Sequence, residues 1–245
     1  IVERRHTLPI LANILIRKDG EKVSFLSTDI EVQITTHADV GSGSESTATT
    51  VAARKLLDIL RALPDSGEVS VSLSNKRLTV QSGKSRFALQ TLAAEEFPTV
   101  AQAEHYNAQV NLPQKTLKHL FNMVHFAMAQ QDIRYYLNGL LLVVEGKNVI
   151  AVATDGHRLA FCQVETEQDF PRQEVIIPRK TIIELQRLLD DSDDEVQLQI
   201  ANNQVKLTFA DIELISKLVE GKFPDYTRVV PKAVSYTHLT LPTKA

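Results

Sequence analysis

The chain has 245 residues, of which 43% are hydrophobic and 23% charged, and it carries one cysteine and a formal net charge of −3. These values are typical of a folded protein of one or two domains, and they argue against wholesale disorder and an internal disulfide framework. The negative charge also argues against a protein that grips nucleic acid by overall electrostatics, so any DNA contact must be local or topological.

No stretch of the chain looks like a membrane span. The longest apolar runs, 140–144 and 149–153, are far shorter than the roughly 20 residues that cross a bilayer. The first residues lack the charged and apolar pattern of a secretory signal, and a lone Cys162 suits a reducing compartment. We therefore expect a soluble cytoplasmic protein with no membrane partner and no cofactor.

Hydrophobic periodicity predicts a mixture of strands and helices. Alternating or clustered apolar residues predict strands over 11–17, 23–26, 32–37, 69–73, 77–81 and 86–92. Asp19-Gly20 and Asn75-Lys76 are typical of hairpin turns. Helical spacing of leucine and isoleucine predicts helices over about 52–63, 113–129 and 178–189. We expect Ala53, Pro113 and Pro178 to lie just inside the starts of these helices.

The second half of the chain repeats the first. Residues 9–29 match residues 135–155 without a gap at an offset of 126, and both stretches end in Thr-Asp. Phe97-Pro98 and Phe223-Pro224 lie at the same offset. This period is that of a whole domain rather than a solenoid unit. We predict two tandem homologous domains of the α+β class, residues 1–105 (the first copy) and 106–232 (the second copy), with helices packed on antiparallel sheets.

The repeat also bears on the two ends of the chain. The first copy lacks a counterpart of the strand and helix expected within 110–130, so we expect about twenty further residues before Ile1. Residues 233–245 match nothing in the repeat. We interpret them as a non-native tail, with a short native extension as the alternative.

Five segments together resemble the bacterial DNA polymerase III beta subunit, the sliding clamp, in order and spacing. They are residues 5–11, 131–139, 153–160, 177–180 and 221–226. The resemblance covers the first two of that family's three domains. It implies a DNA-clamp fold in which helices line a central hole, sheets form the outer wall, and two three-domain subunits close a homodimeric ring. It further implies a non-enzymatic processivity factor that encircles duplex DNA; without a third domain, this chain should not close a ring by itself.

The resemblance assigns DNA contacts to a group of basic, aromatic and amide side chains. They are Arg5, Arg54, Gln131, Tyr135, Tyr136, Arg179 and Lys180. Basic residues at helix starts, including Lys55, are disfavoured by the helix dipole by a few tenths of a kcal/mol, and nearby phosphates would explain them. The alternatives are solvated helix turns for the basic residues and loop anchoring for the two tyrosines.

The resemblance also implies a groove for short linear motifs from the polymerase III alpha subunit, the clamp loader and other clamp-binding proteins. Its implied lining is Leu137, Thr154, Gly156, His157, Arg158, Leu159, Pro224, Arg228 and Val229. Apolar walls with a few polar groups suit such a groove. Thr227 departs from the arginine expected there, and the wall that the third domain would supply is absent.

Other features have competing interpretations. Phe87 and Leu89 match edge-strand positions of the family's dimer interface, with core packing as the alternative. The acidic run 190–195 lacks the spacing of a calcium loop, so we expect a solvated loop and no metal. A hydrolase built on Asp155, His157 and Cys162 is disfavoured by their spacing. A two-domain peptide-binding scaffold without DNA encirclement is the main alternative function.

Overall fold

The structure, a computed structural model, describes residues 1–2, 8–40, 45–64 and 67–230. The first copy contributes β1 (Asn13–Asp19), β2 (Lys22–Thr28), β3 (Val32–Asp39), β4 (Thr47–Ala52), α1 (Ala53–Ala62), β5 (Ser70–Ser74), β6 (Arg77–Ser82) and β7 (Ser85–Leu92). The second copy contributes β8 (Ala108–Pro113), α2 (Gln114–Asn122), β9 (Gly139–Thr154), β10 (Leu159–Pro178), α3 (Arg179–Leu188), β11 (Glu195–Ile200), β12 (Gln204–Phe209) and β13 (Ile212–Lys217). No helix among these residues is long and apolar enough to cross a membrane.

All of the strand pairs are antiparallel, which confirms the predicted α+β class. The pairing also repeats between the copies. Asn13 on β1 pairs with Ala52 on β4, and Gly139 on β9 pairs with Pro178 on β10, each shifted by 126. The long hairpin β9–β10 is therefore the counterpart of β1 to β4.

One sheet runs through both copies. Its eleven strands have the order β5-β6-β7-β4-β1-β2-β3-β13-β12-β11-β8, so the copies meet where β3 pairs with β13. This junction, the seam, extends from Thr36 opposite Ile212 to Val32 opposite Ser216. Backbone hydrogen bonds thus join the two copies directly, as they join strands within one copy.

Two buried glutamines hold the segment that connects the copies. Gln33 on β3 accepts a hydrogen bond from Val100 N through Oε1, at 2.8 Å. Gln204 on β12 accepts from Ala103 N at 3.1 Å and donates to Ala101 O at 3.0 Å. Because buried amide groups need partners, these bonds fix the connecting segment against the seam.

The main core lies in the second copy. Leu117 and Phe121 of α2 and Ile182 and Leu185 of α3 are fully buried there, and Val32 of the seam joins them from the first copy. Helix α1 covers a smaller core around Leu56 and Val80. In the second copy, α2 and α3 pack against each other. In the first copy, by contrast, Leu57 and Leu60 of α1 remain 45% and 40% exposed.

Several predicted boundaries were wrong. The helix predicted over 113–129 ends at Asn122, because Val124 leaves helical geometry at φ −127° and a 3-10 helix, His125–Ala127, then carries Ala127 into the core. Pro113 and Pro178 are the N-cap residues, with extended ψ of 140° and 145°, and end the preceding strands instead of opening the helices.

Strand boundaries were also shifted at the start of the first copy. Leu11 lies in a 3-10 helix, Pro9–Ala12, before β1 begins at Asn13. Strand β4 was not predicted at all, because its sequence, Thr-Ala-Thr-Thr-Val-Ala, lacks alternating large apolar residues. The hairpin turn at Asn75-Lys76 was predicted correctly, and both residues have the positive φ of a type I′ turn.

Strand β7, which carries Phe87 and Leu89, is not the end strand of the sheet; β5 is. Strand β6 pairs with Ser85–Gln90 of β7, whereas β4 pairs only with Thr91 and Leu92. Among the described residues, Ser85–Gln90 therefore has an open side. Phe87 is 37% exposed and Leu89 is buried in the core of the first copy, so the interface role of the pair stays a prediction.

Candidate functional site

The turn between β9 and β10 is held by its own side chains. Thr154 Oγ1 donates to Arg158 O at 2.7 Å and accepts from Gly156 N at 3.1 Å. Asp155 Oδ1 accepts from the backbone N–H groups of His157 and Arg158, at 2.9 and 3.0 Å. These short-range bonds leave the side chains of His157 and Arg158 exposed at the edge of the turn, which we call the charged rim.

Asp155 and Arg158 also form an ion pair, with Nε 3.0 Å from Oδ2. The backbone N–H groups of His157 and Arg158, together with that guanidinium, lower the pKa of Asp155 to about 2. The Arg158 guanidinium lies 5.8 Å from the centre of the Phe126 ring. Phe126 is 51% exposed, so an apolar face borders the charged rim.

The loop that precedes β9 is built around a second aspartate. Arg134 forms a bidentate contact with Asp132, with Nε–Oδ1 at 3.0 Å and Nη2–Oδ2 at 2.8 Å. The Arg134 side chain is the main cause that lowers the pKa of Asp132 to about 2. Asn138 closes the loop by donating to Asp132 O and accepting from Asp132 N. Asn138 O in turn accepts from Arg179 N, which ties the loop to the start of α3.

Arg134 brings this loop and the β9–β10 turn together. Its Nη2 donates to Asp155 O at 3.3 Å. A Cβ placed on Gly156 would lie 3.1 and 3.2 Å from Arg134 Nη1 and Nη2, so the guanidinium packs on the space that glycine leaves empty. Gly156 also has φ +89°, which suits glycine.

The first copy contains the same turn without this contact. Thr28 and Asp29 make the same bonds as Thr154 and Asp155. Thr28 Oγ1 donates to Val32 O at 2.9 Å, and Asp29 Oδ1 accepts from Val32 N at 2.7 Å. Ile30 occupies the position of Gly156, with φ +79°, an unusual value for a β-branched residue. The Thr-Asp pair therefore fixes the turn, and glycine at the third position is what admits Arg134.

The two lowered carboxyl pKa values give a pH prediction. Because Asp132 and Asp155 both titrate below their ordinary 3.8, the contacts of the turn should be complete above about pH 4 and be lost as the pH falls through about 2. The measurement is the NMR shift of the His157 and Arg158 amide protons against pH. A midpoint near 3.8, or an unchanged titration in Asp155→Asn, would contradict it.

An apolar cluster lies beside this rim. Leu137, which is 1% exposed, packs in it with Phe223, and half-buried Leu159 and Tyr226 pack against them. The ring of Tyr226 lies 6.0 Å from that of Phe161. The structure thus brings the predicted groove residues Leu137 and Leu159 into one cluster.

The remaining predicted groove residues follow Phe223 along the chain. Pro224, Arg228 and Val229 are all exposed, Val229 by 65%. Asp225 receives hydrogen bonds from Thr227 N and Oγ1 and from Arg228 Nε. Asp225 thus caps the short helix Tyr226–Arg228, and Thr227, which stands where the family's arginine was expected, donates to this cap.

The predicted DNA-binding residues fall into different settings. Arg5 lies outside the described residues. Gln131 is exposed with φ +55°, and Tyr135 is 58% exposed with its ring edge-on to that of Tyr136 at 6.0 Å. Gly221, at φ +121°, packs against both tyrosines. Gln131 and Tyr135 are therefore exposed, whereas Tyr136 packs against the apolar cluster.

The basic residues at helix starts divide in two. Arg54 and Lys55 on α1 are exposed and form no ion pair with a described residue. In contrast, Arg179 Nη1 donates to Met128 O at 3.3 Å, and Lys180 Nζ lies 2.5 Å from Asp29 Oδ2. The two copies therefore use their matched basic residues differently.

The acidic run 190–195 and Cys162 have the surroundings of ordinary surface and half-buried residues. Asp191 and Asp193 of the acidic run pair with Lys118 and Lys115 of α2. No cluster of three or more metal-ligating side chains occurs in the part of the chain that the structure describes. Burial raises the pKa of the Cys162 thiol, which is the opposite of what activates a nucleophile.

Sequence reasoning missed three members of this site. Asp132 and Arg134 lie inside a motif that drew attention for its glutamine and tyrosines, and their i to i+2 spacing was the available signal. Phe126 was assigned to a helix that ends before it. The contacts of Arg134 with Asp155 and of Phe126 with Arg158 depend on tertiary geometry that a linear pattern does not show.

Comparisons with known proteins point in one direction. Residues 1–101 match the family model of the DNA polymerase III beta subunit, N-terminal domain, and residues 111–225 match that of its central domain. The chain is 45% identical over 228 residues to the beta sliding clamp of Escherichia coli K12 and 47% identical over 229 residues to that of Proteus mirabilis. These alignments cover 93% of this chain and 62% of each relative, so the chain spans less than two thirds of their length.

Solved structures agree with the sequence matches. The crystal structure of the DNA polymerase III subunit beta from Pseudomonas aeruginosa has a TM-score of 0.91 and 43% identity, over 95% of this chain and 63% of that one. A clamp from the same organism bound to griselimycin has a TM-score of 0.90 and 43% identity, at the same coverage. The predicted DNA-clamp fold is confirmed.

Proposed function

Because this chain belongs to the DNA polymerase III beta subunit family, the bacterial sliding clamps, we propose that it acts as a DNA polymerase processivity factor. In this role it is part of a ring that encircles duplex DNA in the cytoplasm and tethers polymerase III. The observation that carries the proposal is the seam, because a sheet that continues from one copy to the next is how a closed wall is built from repeated domains. No catalytic step is proposed.

Encirclement fits the charge of the chain. With a formal net charge of −3, the chain as a whole does not attract phosphate. A ring needs positive charge only on the surface that faces the duplex, and Arg54 and Lys55 are exposed without a described ion-pair partner. We assign these two residues, with Gln131 and Tyr135, to DNA contact.

The domain boundaries stay a proposal, at 1–105 and 106–232, with the tail 233–245 outside the described residues. Repeated elements and the two family matches support them. Exposed Leu57 and Leu60 on α1 and Val71 on the end strand β5 support a further strand and helix on the first copy. In the second copy, β8 pairs with β11 and α2 packs on α3 at the matching positions.

We further assign the apolar cluster and the charged rim to a groove for clamp-binding peptides of polymerase III, the clamp loader and other partners. Half-buried Leu159 supplies apolar contact above the buried Leu137, and His157 and Arg158 supply exposed polar groups. Since all of these residues lie in the second copy, a two-domain peptide-binding scaffold without encirclement remains the second candidate function. Phe87 is assigned to the contact with a partner subunit.

The test of encirclement uses the chain extended through a third copy, loaded onto a nicked circular plasmid by a clamp loader. The dimer is expected to stay with the plasmid during gel filtration and to be lost after one restriction cut, because only a closed track retains a ring. The 245-residue chain is the control and should not be retained. Equal retention on circular and linear DNA would exclude the ring and favour the scaffold.

A further inference from the structure

The first turn of α3 reaches across the seam to the other copy. Lys180 Nζ lies 2.5 Å from Asp29 Oδ2, and the side chains are 34% and 5% exposed. We infer that Lys180 is a positioning residue that fixes the angle between the two copies, and that it is not one of the DNA ligands. The inference rests on the proposed function, in which that angle determines whether a ring closes.

Asp29 is a buried carboxylate whose other oxygen is already occupied. Its Oδ1 accepts from the N–H groups of Glu31 and Val32, at 3.0 and 2.7 Å. Burial alone would raise the pKa of Asp29, but the hydrogen bonds from Lys180 and Val32 outweigh it and the pKa lies below its ordinary value. A buried charge of this kind needs its partner, so removing Lys180 leaves Asp29 uncompensated.

The pair stands where the copies join. Thr181, the next residue on α3, shares a hydrogen bond of 2.7 Å with Ser216 of β13, and both are fully buried. Ser216 pairs with Val32 at one end of the seam, and Lys217 N donates to Glu31 O at 2.9 Å. Helix, seam and turn thus meet at Asp29.

The repeat supplies an internal comparison. Lys55, the matching residue of the first copy, is exposed and has no ion pair with a described residue. Asp155, the counterpart of Asp29, pairs with Arg158 of its own turn instead. The cross-copy pair is therefore a property of this junction and does not follow from the Thr-Asp turn alone.

The experiment measures hydrogen exchange of the Lys217 amide by NMR in the 245-residue chain, without DNA. Lys180→Met and Asp29→Asn are each expected to speed exchange about tenfold, because both remove the pair beside that amide. The double variant should exchange no faster than Asp29→Asn, since the two residues act as one unit. The matched control Lys55→Met should leave the rate unchanged.

A DNA-ligand role predicts a different pattern. Lys180→Met would then leave the exchange rate unchanged and weaken binding of a labelled duplex at low salt. Asp29→Asn would free the Lys180 amine and tighten binding of that duplex. Either result overturns the inference. If Lys180→Met does not fold, Lys180→Arg should keep slow exchange and Asp29→Asn should lose it. Exchange needs no DNA, so failure of the plasmid test would leave this readout intact.

Discussion

Replacing Gly139 by alanine is expected to lower the free energy of unfolding by about 3 kcal/mol, near the upper end for an overpacked core. A Cβ at this position would lie 2.6 Å from Ile177 O and 2.8 Å from Ile176 Cγ2. Ile177 O belongs to the backbone of β10, which pairs with β9 at this point, so it cannot move without disturbing the pairing. The Ile176 side chain is buried in the apolar cluster, so it has little room to rotate away. Urea unfolding followed by circular dichroism measures the change.

The control for Gly139 is another glycine whose surroundings are open. Gly20 has φ +59° and no atom within 4 Å of an added Cβ, so Gly20→Ala should cost only the backbone strain of about 1 kcal/mol. Asn13, the counterpart of Gly139, carries a side chain that donates to Thr50, so the restriction is specific to the second copy. Equal losses for Gly139→Ala and Gly20→Ala would contradict the steric explanation.

Changing Gly156 to isoleucine should weaken ligand binding in the groove at least about tenfold while leaving the fold intact. The first copy already holds isoleucine at this position, at φ +79°, so the turn itself can form. The new side chain, however, would occupy the space of the Arg134 guanidinium, 3.1 Å away, and push it from the rim. Losing one charge-assisted contact in a binding site corresponds to roughly 1.5 to 3 kcal/mol.

The probe for this test is a labelled clamp-binding peptide of the polymerase III alpha subunit, the kind of ligand that we propose for the groove. Calorimetric titration would use the chain extended through a third copy. Ile30→Gly, the reverse change in the matching turn of the first copy, is the control and should leave the affinity unchanged. Unaltered affinity in Gly156→Ile, with an unaltered melting temperature, would show that this turn is not part of the groove.

The fold was predictable where each copy repeats the same hydrophobic pattern. Strands such as β2 and β6 alternate clearly, and the offset of 126 reappears in the strand pairing. Strand β4 was not visible, because its threonines and alanines form a strand only through pairing with β1. The end of α2 was missed because apolar residues continue past Asn122 at nearly helical spacing.

The site was predictable only in part, for a related reason. The residues of the turn 154–158 are adjacent in sequence, so a motif finds them together. The partner of Lys180 is Asp29, in the other copy, and only the folded seam places the two side chains in contact. A basic residue at a helix start therefore looks the same in sequence whether it faces solvent, as Lys55 does, or neutralises a distant carboxylate.

The seam joins two different strands, β3 of one copy and β13 of the other. A head-to-tail joint of this kind has no two-fold axis, so each added copy turns in the same rotational sense. Besides the end strands β5 and β8, the described chain has open strand borders at Ser85–Gln90 of β7 and at Leu159–Glu165 of β10, and these two borders are accordingly unlike. The molecule is directional, and its assembly has a polarity comparable to that of a filament subunit.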